Sequence, residues 1–432
     1  MRRGLLAAAV LACAATASAR LDLAPMLEPD RPLWSLRRED LSRSVLAPGR
    51  FRAGNPSRST HVRLGDLPIA EALLIWDEDG TLAAVRLVAV SRGDVPDLTI
   101  EDQDRIRAAC ERIAAAWAGG REREEEEERL QAAVTNRRRW TLDDRVVTLT
   151  WGTTRRHFRR ITGARVEPRA EYVRLDIRPR APEVRAEIAV PPARPPTDTA
   201  PDPWAARVEQ RPNGDVQIVG VPMVDQGERG YCVAATIARL QLYFGMEADT
   251  HEVAQWVNAS PTAGTNPVEM MDALQRFGTR LGLSTRRHLA LDPPSLERLV
   301  QQYNRKARRS GKPAVELGRV VRVGAVFAAM DSELLIESRG QQRREFERFL
   351  GLVRRYVDEG MPLAWTLVLG KVPESGRTPQ TAGGHMRLII GYNDRTRELI
   401  FSDSWGAGHE AKRIAMDHAW AVTVGLYTIE PR

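Results

Sequence analysis

The stretch Val224–Gly245, VDQGERGYCVAATIARLQLYFG, decides how this chain is read. From Val233 to Phe244 it is apolar and helix-forming, with Ile237, Leu240 and Phe244 on one face. Gly230 interrupts the chain just before the helix, so Cys232 stands at the helix start. The partial positive charge of a helix N-terminus favours a thiolate there. Gln226 lies six positions earlier, close enough for its side-chain amide to share an oxyanion site with the Cys232 backbone N–H. A nucleophile and its oxyanion donors are two of the parts that acyl chemistry needs.

The missing part is a base with a group to orient it, and two later segments supply both. His385 opens the strand-like HMRLIIGYN after the flexible AGG, and Asp403 ends the adjacent strand at FSDSWG. A turn around Asn393-Asp394 would fold these strands into a hairpin and bring the two residues, eighteen positions apart, side by side.

With those residues in view, DQGERGYCVAA resembles the active-site segment of papain-like cysteine peptidases. GHMRLIIGY resembles the papain His strand, and DSWG resembles its Asn-Ser-Trp-Gly with Asp403 in place of Asn. That exchange points to the Cys-His-Asp branch, which includes the bacteriocin-leader (double-glycine) peptidase-like domains. The resemblance covers the C-terminal half only. It implies an α+β fold with a central helix packed on an antiparallel sheet. By the same resemblance Cys232 is the nucleophile, His385 the base and then the acid, and Asp403 the residue that orients His385. Gln226 becomes the oxyanion donor, Trp405 a shield over the His385–Asp403 bond, and Gly230 a supporting residue. The implied substrate is a peptide or protein, with no cofactor and no metal. Tyr231 stands where papain has a second cysteine, and none of the papain disulfides can form. A transglutaminase-like acyl transferase uses the same three residue types, and a catalytically silent peptide-binding module keeps the same fold. Both stay open as alternatives.

The rest of the chain gives organisation. Residues 1–19 read as a signal peptide, with Arg2 and Arg3 ahead of a short apolar run and Ala17-Ser18-Ala19 as the cleavage site, so the mature chain is expected to be exported, periplasmic or secreted. VLAC, ending at Cys13, resembles a lipobox, but Leu11 is unusual there and lipid anchoring is the less favoured reading. No later run is long and apolar enough to span a bilayer. Residues 33–178 read as a separate α+β domain of unassigned role, 179–212 as a Pro-rich linker and 213–432 as the peptidase-like domain. In the first domain EALLIW and TLAAVRLVAV read as a hairpin and RVVTLTW and EYVRLDI as later strands. Cys110 falls on an amphipathic helix as a small core residue, and REREEEEERL reads as a solvated extension of that helix. In the second, helices precede the strands PLAWTLVL, HMRLIIGY, ELIFSDSW and WAVTVGLYTI, with Asn266 and Glu269 as a capping pair for one helix.

The net charge of +7 comes almost entirely from arginine; Lys306, Lys312, Lys371 and Lys412 are the only lysines. Acids are mixed throughout and no basic stripe interleaved with aromatics stands out, which argues against a nucleic-acid partner. There is no HExxH motif. His61, His157, His409, Asp417 and His418 lack ligand spacing, so metal chemistry is not expected.

Overall fold

A computed structural model describes residues 20–37, 50–52, 61–77, 79–130, 132–158, 165–180, 204–227, 229–261, 264–265, 267–278, 282–318, 323–374, 378–380 and 382–432. Residues 1–19 with Cys13, most of the Pro-rich stretch, and Asn266 lie outside the described residues. The chain forms two compact units, Met1–Ala186 and Glu187–Arg432.

The first unit is built on a seven-stranded antiparallel sheet. Its strands are β1 (Arg50–Arg52), β2 (Glu71–Trp76), β3 (Leu82–Ser91), β4 (Arg123–Leu130), β5 (Ala133–Thr141), β6 (Arg145–Thr154) and β7 (Arg169–Pro179), in the order β1-β2-β3-β7-β6-β5-β4. The expected EALLIW/TLAAVRLVAV hairpin is the β2–β3 pair. Helix α1 (Ile100–Ala118) starts at Thr99, whose side chain accepts from the Asp102 N–H. It buries Cys110, with Ile106, Ile113 and Trp117 partly buried against the same core. Gln103, also buried, donates to the carbonyls of Gly152 (2.7 Å) and Tyr172 (3.0 Å) and so pins the helix to β6 and β7.

REREEEEERL is a strand, not a helical extension: α1 ends and β4 runs along the sheet edge. The reason lies in the next segment. Antiparallel pairing with β5 sets Glu124, Glu125 and Glu126 opposite Arg139, Arg138 and Arg137. Cross-strand opposite charges favour that pairing, and a charged edge resists pairing with another chain.

The second unit is α+β, as expected. After β8 (Val208–Gln210) and β9 (Asp215–Ile218) come α2 (Cys232–Tyr243), α3 (Thr250–Trp256), α4 (Pro267–Phe277), β10 (Leu283–Ala290), α5 (Pro293–Arg309), α6 (Val323–Ala329), α7 (Ser332–Gly340) and α8 (Arg343–Asp358). Then follow β11 (Leu363–Leu369), β12 (Gly383–Asn393), β13 (Glu398–Ser402), β14 (Lys412–Ala415), α9 (Met416–Val422) and β15 (Thr423–Pro431). The sheet order is β8-β9-β12-β11-β15-β10, and β13 pairs with both β12 and β14; every pairing is antiparallel.

Two local expectations are corrected here. WAVTVGLYTI is not all strand, because its first three residues, Trp420, Ala421 and Val422, close α9 before β15 begins. Helices do not all precede the sheet, since β10 lies among them and pairs with the C-terminal strand. Its alternation is weak and its middle charged, so periodicity alone gives it no signal.

The core explains why α2 is largely apolar; its polar residues Thr236, Arg239 and Gln241 are buried as well. All but one of its residues are buried, Leu242 being the exposed one. Strand β11, covered on both faces, is buried along its whole length. Helix α8 buries Phe349, Leu350, Val353 and Val357 and stops at Gly360, whose φ of +72° suits glycine. Among the described residues no helix is long and apolar enough to cross a membrane.

Candidate active site

Three segments converge. Helix α2 presents Cys232 at its first turn, where no side chain caps the helix end. Strand β12 carries His385, and Asp403 directly follows its hairpin partner β13. The hairpin registers Leu388 with Ser402 and Asn393 with Glu398, so the turn is the four residues Asp394–Arg397, beginning at the expected Asn393-Asp394 step. This register brings His385 Nε2 to 2.5 Å from Asp403 Oδ1, with both side chains fully buried.

Helix α2 is locked to this hairpin along one face. Cys232, Thr236 and Arg239 recur at helical spacing. Thr236 Oγ1 donates to the Met386 carbonyl (3.5 Å). Arg239 donates to the carbonyls of Pro222 (2.7 Å) and Asp403 (2.9 Å) and to Ser402 Oγ. Burial lowers this guanidinium to about 10, yet its position spans the gap between helix and Asp403 backbone. Asp403 N–H in turn donates to the His409 carbonyl (2.9 Å), closing the loop that follows.

Gln226 is buried beside the same loop. Its backbone N–H donates to the Ser404 carbonyl (2.7 Å), Ser404 Oγ donates to Gln226 Oε1 (2.6 Å), and Gln226 Nε2 donates to the Arg229 carbonyl (3.0 Å). Gly230 is fixed by close backbone approach. Its N–H donates to the Pro261 carbonyl (2.5 Å), and a Cβ there would lie 2.4 Å from the Ser260 carbonyl oxygen and 2.7 Å from the Gly264 nitrogen. Trp405 lies face to face on the His385 ring, with centroids 4.4 Å apart and planes 12° apart. Such a ring both excludes water and favours a cationic imidazole.

The electrostatics follow from these contacts. Burial is the largest influence on Cys232 and pushes its thiol up. Interaction with His385 and the backbone N–H groups of Met386 and Val233 outweigh it, and the thiol ends below its ordinary value. For His385, burial opposes the charged form, but Asp403 and Cys232 raise the imidazole to about 9. Burial likewise opposes the Asp403 carboxylate, and His385, Arg387 and Lys412 hold it at about 2. With Nε2 committed to Asp403, Nδ1 is the ring atom left for Cys232; among the described residues it has no aligned hydrogen-bond partner. The opposed shifts of thiol and imidazole favour a thiolate–imidazolium pair.

Four residues of this constellation escape sequence reading. Arg239, Ser404, Arg387 and Glu374 all touch the hairpin or its neighbours. Arg387 carried a usable signal: it sits two residues after His385, on the same strand face, in an otherwise apolar run. Among the described residues no group of three or more His, Cys, Asp or Glu is placed to hold a metal ion.

Residues 336–427 match the Peptidase_C39 like family. That match supports a C39-like peptidase domain in the C-terminal part. The matched stretch includes His385 and Asp403 and begins after Cys232 and Gln226. Xylellain, a cysteine protease from Xylella fastidiosa, is a similar solved structure: 14% identity and a TM-score of 0.25 over 54% of this chain and 90% of xylellain. No curated protein matches the chain.

Proposed function

We propose that the protein is an exported cysteine peptidase that cleaves peptide bonds through a thioester on Cys232. The observation that carries this reading is the buried His385–Asp403 bond of 2.5 Å with the lowered Cys232 thiol at the other side of the ring. The Cys232 thiolate attacks the scissile carbonyl carbon. The developing oxyanion is met by the Cys232 backbone N–H and the Gln226 amide, which Ser404 and Arg229 hold in place. As the C–N bond breaks, imidazolium His385 gives its proton to the leaving nitrogen. Neutral His385 then takes a proton from water, whose oxygen attacks the thioester carbonyl, and the acid product leaves as the C–S bond breaks. Asp403 keeps the ring aimed at the sulfur throughout. Export rests on residues 1–19, with cleavage after Ala19.

The test is a peptide-library digest by the mature chain in reducing buffer, read by mass spectrometry beside Cys232→Ala. New carboxyl termini that require Cys232 are expected. Amide products that form only with an added primary amine would instead assign acyl transfer, and no product in either condition would leave a binding module. Sequencing the exported chain for a start at Arg20 tests the leader.

A further inference from the structure

Asp403 has two carboxylate oxygens and only one serves His385. Oδ1 accepts from His385 Nε2 at 2.5 Å and from the Ser404 N–H at 3.3 Å. Among the described residues Oδ2 is buried without an aligned hydrogen bond; its neighbour is Arg387 Nε at 2.8 Å, an ion pair between two side chains with no exposure at all. The other two nitrogens of Arg387 are taken by one carboxylate: Nη1 donates to Glu374 Oε1 (3.0 Å) and Nη2 to Glu374 Oε2 (2.8 Å). The guanidinium lies over Phe401 at 4.4 Å and near Trp405 at 5.7 Å, the same ring that covers His385.

This forms a chain of alternating charge running outward from the sulfur through His385, Asp403 and Arg387 to Glu374. The strand pleat builds it, since His385 and Arg387 share one face of β12 and Asp403 reaches between them from the end of β13. A guanidinium this deep is costly unless its charge is met, and meeting it with Asp403 alone would spend the carboxylate that His385 needs. Arg239 and Lys412 add further positive charge around Asp403, while His409 packs edge-on to Trp405 and Glu410 lies within reach of His409. Among these groups Glu374 is the carboxylate that grips Arg387.

We propose that Arg387 is a positioning residue, locking the Asp403 carboxylate by its second oxygen, and that Glu374 offsets the guanidinium so that the negative charge of Asp403 still acts on His385. The proposal rests on the reading of Cys232 as the nucleophile paired with His385. It assigns the Glu374 loop, which follows β11, a part in setting the pH range over which the thiolate persists.

The experiment follows the alkylation rate of Cys232 by iodoacetamide against pH, read at that cysteine by peptide mass spectrometry on the full mature chain. The variants are Glu374→Gln, Arg387→Met and the pair together. Losing the Glu374 charge leaves extra positive charge and displaces the Cys232 profile to lower pH by about half a unit or more. Losing the Arg387 charge displaces it to higher pH, and the double variant returns toward the parent. A merely structural salt bridge would lower the rates or the melting temperature without opposite displacements. If Arg387→Met does not fold, Glu374→Gln alone decides, and a profile unmoved within about 0.2 unit, well inside the usual effect of a neighbouring charge, overturns the proposal. Displacements of the same sign in both single variants overturn it as well. Alkylation needs no peptide substrate, so opposite displacements in a chain that cuts no peptide would uphold the Arg387 role and sink the peptidase reading alone. A parent profile like that of a free thiol would sink the ion pair and this proposal with it.

Discussion

Each unit packs a helix on an antiparallel sheet, and each buries a cysteine in that helix. The two thiols are nonetheless opposites. Cys110 lies in the middle of α1 among aliphatic and aromatic neighbours, and burial pushes it to about 12. Cys232 is buried too, at 8% exposure, yet it ends below its ordinary value because His385 and two backbone N–H groups face the sulfur. Burial alone therefore makes a thiol inert, and burial with preorganised donors makes it reactive. The same contrast separates the charges of the two units. The Glu–Arg rows of β4 and β5 stand at a solvated sheet edge, with Glu126 and Arg137 3.8 Å apart, whereas Arg387 and Asp403 are closed off from water.

The sharpest way to break the comparison is to remove each sulfur. Cys232→Ala should lower kcat by on the order of 10⁴-fold or more, as loss of a nucleophile does. Cys110→Ala should leave turnover per folded molecule unchanged, measured on the best peptide from the library digest. Equal losses would mean that the two thiols do not differ in role.

Next comes reactivity itself. At about pH 6 iodoacetamide should modify Cys232 on the order of 10²-fold faster than Cys110, since thiolate content sets the rate. Labelling of both only after denaturation would show that burial governs Cys232 as it governs Cys110.

Asp403 sharpens the electrostatic side. In Asp403→Asn the amide oxygen can still accept from the imidazolium, so substantial activity should remain. The charge that holds His385 at about 9 is lost, and the alkaline limb of kcat/KM should fall by about one pH unit. Asp403→Ala should be far worse, leaving the ring unoriented and Arg387 facing a void. Equal damage from both variants would mean that the carboxylate does something other than hold the ring.

The same groups fix how stability depends on pH. The Asp403 carboxyl is depressed to about 2 from 3.8, so its contribution is complete above about pH 4 and is lost as pH falls through 2. The full effect is about 2 kcal/mol. His385 is raised to about 9 from 6.5, so its contribution is complete below about pH 6.5 and is lost as pH rises through 9. Melting temperature should fall at both ends, and Asp403→Asn should flatten the acid side. The smallest effect belongs to the first unit: Glu126→Gln should change stability by less than about 0.5 kcal/mol, because exposed pairs are screened. A larger loss by denaturant unfolding would show that the charge ladder holds β4 in place.

The sequence by itself determined the candidate site residues and the elements that carry them. A cysteine at the start of an apolar helix, a histidine opening a strand and an aspartate closing its hairpin partner are local patterns, and 3.6- and 2-residue periodicity makes them legible. The tertiary structure decided what those patterns could not contain. REREEEEERL has the composition of an exposed helix, and only the arginines of β5, brought opposite by pairing, make it a strand. Strand β10 exists because the C-terminal strand offers it an edge. Arg239, Arg387 and Glu374 act through partners 13 to 164 positions away, distances over which no local preference operates. A buried charge is stable only when folding delivers its partner, and that delivery is a property of the packed chain.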